Sequence, residues 1–207
     1  MSKETTSEVL TRTLIYIPII HSQVEMGAFS ESVRKATLQK LGRQAWNRKV
    51  RLIDKTWEAI ERTVDGLKLP NGKILLYQDG LPVCGREAEI VADLARAGSR
   101  NHRLLLRLME RGATIMGTES SSLLIEEYEL NKQAFAQSRN PKSPRMEARQ
   151  KALGESLLKK RDQFIADRIH RTLRAGETGI LFLGRLHSLK EWLPKNIRVI
   201  YPIYHLN

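Results

Sequence analysis

The 207-residue chain predicts an α/β fold, a single domain with a largely parallel or mixed central sheet flanked by long helices. Short apolar, β-branched runs alternate along it with long stretches of helical spacing, and such alternation builds a sheet of parallel strands covered by helices. The hydrophobic content of 41% with 28% charged residues is that of an ordinary globular protein. At about 150 residues per domain, the length suits one core better than two.

In order, residues 1–12 read as a polar N-terminal arm and 13–207 as the domain. The first strand is Thr13–Ile20, followed directly by His21 and Ser22. Pro18 has no backbone donor, which predicts an edge position, a bulge or an irregular strand end. Apolar residues from Val33 to Val64 recur at helical spacing, with Ser30 as a cap, and the spacing fits one long helix or two. Gly66 and Pro70-Asn71-Gly72 end this stretch. A second strand, Lys73–Gln78, runs into an Asp79-Gly80 turn. Helices are predicted over Arg86–Ala97 and Arg100–Arg111, stopped by Gly98 and Gly112.

A third strand, Ala113–Met116, leads into Gly117, Thr118 and Glu119, and Ser120 to Ser122 cap a helix from Leu123 to Phe135. Two prolines and an asparagine in SRNPKSP predict a mobile loop at 138–145. The helical period returns from Met146 to Ala175, a span of about 45 Å if continuous. Arg161 falls on its apolar stripe, so it predicts either a buried acidic partner or a guanidinium snorkelling from the stripe's edge. Thr178–Ser188 (TGILFLGRLHS) reads as a buried strand stopping at Gly184 and presenting His187, and Ile197–Tyr204 closes the sheet.

The formal net charge of +12 favours polyanionic partners at low salt. The lysines and arginines concentrate in Arg34–Arg62 and Arg139–Arg174 among interspersed acids, as on solvated helix faces. Zinc-ligand spacing, aromatic RNA-binding signatures and arginine-glycine tracts are missing, so nucleic acid is expected as a partner through charge alone. The longest apolar run, Leu14–Ile20, is too short to span a membrane and lacks the flanks of a signal peptide, so a cytoplasmic protein is expected. One cysteine, Cys84, excludes an internal disulfide; its buried, inert state is the expectation, with an activated thiolate the alternative.

In a parallel sheet, ligands bind beyond the carboxyl ends of the strands. Four predicted strands deliver His21, Asp79, Glu119 and His187 to that rim. Two histidines and two carboxylates can hold a divalent metal or serve as acid and base around a polar substrate, and Arg161 can pair with a carboxylate or face a developing negative charge. Taken singly, most have a structural reading: Asp79 before Gly80 suits a plain turn, and Glu119 a helix N-terminus. The convergence carries more weight than any member. His102, His170 and His205 show no comparable placement.

These residues resemble the TraB/Tiki superfamily, which includes TraB-like, GumN-like, ChaN-like and erythromycin-esterase-like proteins. The likeness rests on Gly184-Arg185-Leu186-His187, on Gly117-Thr118-Glu119-Ser120 and on the helical element Arg161 to Ile169. The first motif reads Pro18-Ile19-Ile20-His21, with proline where the superfamily has glycine. The resemblance implies a site of His21, Glu119, Arg161 and His187, to which strand position adds Asp79. It implies a metal-assisted hydrolase of a peptide or ester bond using a divalent ion such as Mn, Co or Zn, with a small-molecule or peptide substrate. In this reading His21, Glu119, His187 and Asp79 are metal ligands, and Glu119, Arg161 and His187 are catalytic. The competing function is a non-catalytic basic module that binds nucleic acid or another polyanion.

Overall fold

Strict alternation in the strands sends their side chains to two faces, and each face has its own helices. The computed structural model describes residues 11–21, 25, 30–69, 73–137 and 143–202. The strands are β1 (Arg12–Ile19), β2 (Ile74–Gln78), β3 (Thr114–Met116), β4 (Thr178–Gly184) and β5 (Ile197–Ile200). The helices are α1 (Ser30–Asp65), α2 (Glu87–Arg96), α3 (Arg100–Glu110), α4 (Ser121–Gln137) and α5 (Pro144–Thr172). The strands form one sheet in the order β3-β2-β4-β1-β5, with every pair parallel.

On one face Ile15, Ile17, Ile19, Leu76, Ile180 and Phe182 pack against Trp57, Ile60 and Val64 of α1, with Val91 of α2 and Leu104, Leu105 and Leu108 of α3 completing the layer. On the other, Leu14, Leu75, Tyr77, Leu181 and Leu183 meet Ile165 and Ile169 of α5. Fully burying each such aliphatic side chain contributes about 1.5–3 kcal/mol before the entropy of ordering it. Central β4 is buried at all seven positions, because both of its faces are covered. Among the described residues, no helix is long and apolar enough to cross a membrane.

From β1 the chain crosses over β4 to reach β2, whereas from β4 it crosses over β1 to reach β5. The two connections leave in opposite directions, so a crevice opens beyond the carboxyl ends of the β1–β4 pair. The register brings those ends level, with Ile19 opposite Gly184 and Gln78 opposite Phe182. Trp57 of α1 donates its indole Nε1–H to the Ile20 carbonyl at 3.1 Å, which ties the end of β1 to the helix below it.

Several boundaries differ from the sequence expectations. Arg12 belongs to β1 rather than to a polar arm: it is buried and donates to the His170 and Leu173 carbonyls at the carboxyl end of α5 and to Asn196 Oδ1. These are the acceptors a helix C-terminus leaves over. Pro18 lies in a strand paired on both sides rather than at a sheet edge, but β5 pairs only Arg12–Ile15, so that side of the ladder has ended before Pro18. The long N-terminal helix is interrupted at Gly42, where φ is 77° and ψ 166°, values that glycine adopts without strain. Pro144 and Arg145 belong to α5 rather than to the 138–145 loop, with Ser143 capping its first turn through the Met146 N–H.

Cys84 is exposed, not buried. Residues 1–10 of the arm, Ser22, the Pro70–Gly72 turn, loop residues 138–142, the strand positions after 202 and His205 lie outside the described residues.

Candidate functional site

Asp79 follows the last residue of β2, and its backbone N–H still pairs with the Phe182 carbonyl at 2.9 Å, so its side chain emerges beside β4. Oδ2 accepts from the Gly184 backbone N–H at 2.9 Å and from His21 Nε2 at 3.0 Å. Oδ1 accepts from Arg161 NH2 at 3.0 Å and lies 3.6 Å from His187 Nε2. One buried carboxylate therefore has a histidine on each side. The absence of a side chain at Gly184 allows this: a Cβ there would stand 2.8 Å from Asp79 Oδ2 and 3.4 Å from His21 Nε2.

Both imidazoles are held from behind. His187 Nδ1 lies 2.6 Å from Asp162 Oδ1, and the Ser188 N–H fixes the other Asp162 oxygen at 3.0 Å. His21 Nδ1 lies 3.3 Å from Glu25 Oε2. Burial acts to lower both histidine pKa values, but bonds and charge from their carboxylates outweigh it. His21 is pushed up to about 10 by Asp79 and Glu25, and His187 to about 9 by Asp162 and Asp79. Burial would raise the Asp79 carboxyl, but the two histidines hold it well below the usual carboxylate range. Without a bound cation, both imidazoles are thus protonated at neutral pH.

Glu119 is set by the loop after β3. The Glu119 N–H donates to the Leu81 carbonyl at 2.9 Å, and the Val83 N–H donates to the Glu119 carbonyl at the same distance. The Thr118 hydroxyl oxygen accepts from the Gln78 N–H at 2.9 Å. Gly117 permits this crossing, because a Cβ there would stand 2.6 Å from Val83 Cα. The Glu119 side chain, fully buried, takes the Arg161 fork in two bonds, NH2 to Oε1 at 2.5 Å and Nε to Oε2 at 2.9 Å, and accepts from Gly80 N–H at 3.2 Å.

Arg161 NH1 reaches Glu127 of α4 at 2.7 Å. Arg161 is 5% exposed, so it is the buried, carboxylate-paired arginine of the two alternatives and not a snorkelling one. Burial disfavours its charge, but Glu119 more than compensates and raises its pKa. Burial pushes the Glu119 carboxyl up against the opposing pull of Arg161. The two-bond fork requires its ionised form.

All five sequence-predicted residues, His21, Asp79, Glu119, Arg161 and His187, therefore meet at one rim. Asp79, Glu119 and His187 each offer a ligand atom, all within 4.8 Å of one another, and so can hold a cation. His21 joins them through Asp79. Of these donors Glu119 is the most committed: Oε1 already accepts two hydrogen bonds, leaving a lone pair on Oε2.

The sequence reading missed Asp162, Glu25, Glu127, Ser99 and His102. Asp162 directly follows Arg161 and Glu25 lies four residues after His21, but neither spacing by itself signals a carboxylate behind a histidine. Ser99 caps α3 by accepting from the His102 N–H at 3.2 Å, and its hydroxyl donates to Glu25 Oε1 at 2.6 Å. With that hydrogen spent, His102 Nδ1, 2.8 Å away, must be the donor to Ser99 Oγ. Burial lowers the His102 pKa and keeps the ring neutral. His102, given no role from sequence, thus stands behind His21 through Ser99 and Glu25.

A cleft of about 790 Å³ opens over the cluster, bordered by His21, Asp79, Arg161 and His187. Its size is within the roughly 300–1,000 Å³ of small-molecule sites. Comparison of the chain with family models, curated proteins and solved structures finds no match.

Proposed function

We propose that this cluster carries out metal-assisted hydrolysis of a peptide or ester bond. The observation that carries the reading is Asp79 flanked by two imidazole Nε2 atoms, with each imidazole held at Nδ1 by a further carboxylate. Metal-ligating histidines are oriented in this way, since the second carboxylate fixes the tautomer and raises the basicity of the ligating nitrogen. Asp79, His187 and Glu119, the last through its remaining lone pair, would hold the ion, with His21 bracing Asp79 from the other side. Imidazole and carboxylate donors suit Zn, Mn or Co. Such an ion supplies Lewis acidity and activates water at neutral pH.

Arg161, anchored on Glu119, orients Asp79 and offers positive charge to a developing oxyanion. His187 would give up its Nε2 proton when a cation binds, so binding is proton-linked. The likeness of the GRLH and GTES motifs to the TraB/Tiki superfamily supports the same reading.

Metal analysis of protein purified without chelator, with hydrolysis of a panel of esters and peptides, tests it. Bound Zn, Mn or Co and a loss of about 100-fold in His187→Ala are expected. A metal-free protein whose hydrolysis survives His187→Ala sinks the reading.

A second reading, polyanion binding, is favoured by the largely exposed stretch Arg34–Lys55 of α1, where eight lysines and arginines stand against one acid, Asp54. It requires duplex or single-stranded nucleic acid to bind at low salt and to be released steeply as salt rises. No binding at low salt removes it.

A further inference from the structure

The walls of the cleft differ in kind from its floor. The floor is the charged cluster, whereas the walls present Trp46 and Ile53 of α1, Leu124 and Phe135 of α4, and Leu158 of α5. Each of these five is partly buried rather than covered, which leaves a carbon surface open towards the cluster. The acids that border the cleft are already engaged: Asp79 by both histidines and Arg161, Glu127 by Arg161, and Glu25 by His21 and Ser99. The cations at its mouth are not. Lys49 and Arg185 are exposed, and neither has a hydrogen-bond or ion-pair partner among the described residues.

An apolar wall beneath unpaired positive charge is complementary to a molecule with an apolar chain and a negative group. We propose that the cleft takes an amphiphilic anion, an acyl conjugate whose chain lies on the Trp46–Phe135–Leu158 wall and whose carboxylate meets Lys49 and Arg185. The inference rests on the hydrolytic reading and names its substrate class: the amide or ester joining chain to carboxylate-bearing group is the bond presented to the cluster. Water would add across that bond, giving the free acid and the amine or alcohol.

The test is calorimetric titration of the full chain with N-decanoylglycine in the presence of chelator, so that binding is read without turnover. Controls are N-acetylglycine, which lacks the chain, and decyltrimethylammonium, which reverses the head group. N-decanoylglycine is expected to bind at least about tenfold more tightly than either control. Lys49→Glu should weaken it about tenfold, and Phe135→Ala or Leu158→Ala by a similar factor. Lys195→Glu makes the same change in net charge on an exposed residue at the opposite end of the sheet, and should have no effect.

Equal binding of N-acetylglycine, or equal weakening by Lys195→Glu and Lys49→Glu, overturns the inference, because net charge alone then explains the affinity. Hydrolysis by the cation-loaded protein is read separately. Its absence across the panel of esters and peptides, with N-decanoylglycine binding intact, overturns the hydrolytic reading alone and leaves the amphiphile site standing.

Discussion

Replacing Arg161 by methionine keeps an unbranched apolar stem while removing four hydrogen bonds to three carboxylates. The bond to Glu127 reaches a side chain 38% exposed and contributes little. The others matter because the Glu119 side chain is 0% and the Asp79 side chain 3% exposed. Without Arg161, Glu119 would retain only the Gly80 N–H, at 3.2 Å, as a donor. Removing one member of a buried ionic cluster costs about 3–5 kcal/mol, mostly the penalty of the stranded charge. At a urea slope near 2 kcal/mol per M, that is a fall of about 2 M in the unfolding midpoint.

Arg161→Lys keeps the charge but cannot make the fork, and should recover only part of the loss. The decisive comparison is the cycle with Glu119→Gln. The double variant no longer strands a charge, so its cost should fall short of the two single costs added together by about 2 kcal/mol. Urea denaturation of the four proteins, in chelator, supplies the numbers. A cost below about 1 kcal/mol for Arg161→Met, or strict additivity, would refute the claim that Arg161 holds the cluster together.

Two further outcomes follow from the same geometry. The His187 pKa lies above its ordinary value, so the stabilisation it contributes is complete below about pH 6.5 and disappears as pH rises through about 9. The shift corresponds to about 3 kcal/mol, so the stability gap between the metal-free protein and His187→Gln should close by about that much from pH 6 to 10; a constant gap would show that the imidazolium pairs add nothing. Gly184→Ala would put a Cβ 2.8 Å from an Asp79 oxygen that two donors hold in place, and should cost about 1–3 kcal/mol and weaken divalent-ion binding. Calorimetry with Zn or Mn showing unchanged affinity would mean that Asp79 moves aside freely.

Local pattern alone carried a good part of this protein. The ends of apolar runs mark the ends of strands, and in a parallel sheet all carboxyl ends share one edge. His21, Asp79, Glu119 and His187 could therefore be assigned to a common rim without knowing the strand order. The position of Arg161 on an apolar stripe likewise required either a buried acid or an escape to solvent.

Tertiary structure made the remaining decisions, since they depend on contacts between residues far apart in the chain. The order β2-β4-β1 sets Gly184 of β4 between β2 and β1, and the space over that glycine lets Asp79 reach both His187 and His21. The choice between pairing and snorkelling for Arg161 depended on Asp79, 82 residues away, and Glu119, 42 residues away. The carboxylates behind the histidines, Asp162 and Glu25, lie on segments whose orientation no local period encodes. Burial gave His102 a place behind His21, while Cys84, exposed in the loop ahead of α2, lost its expected core position. Hydrophobic period records which side of an element faces inward, but which partner waits there is set by the crossing of elements distant in sequence.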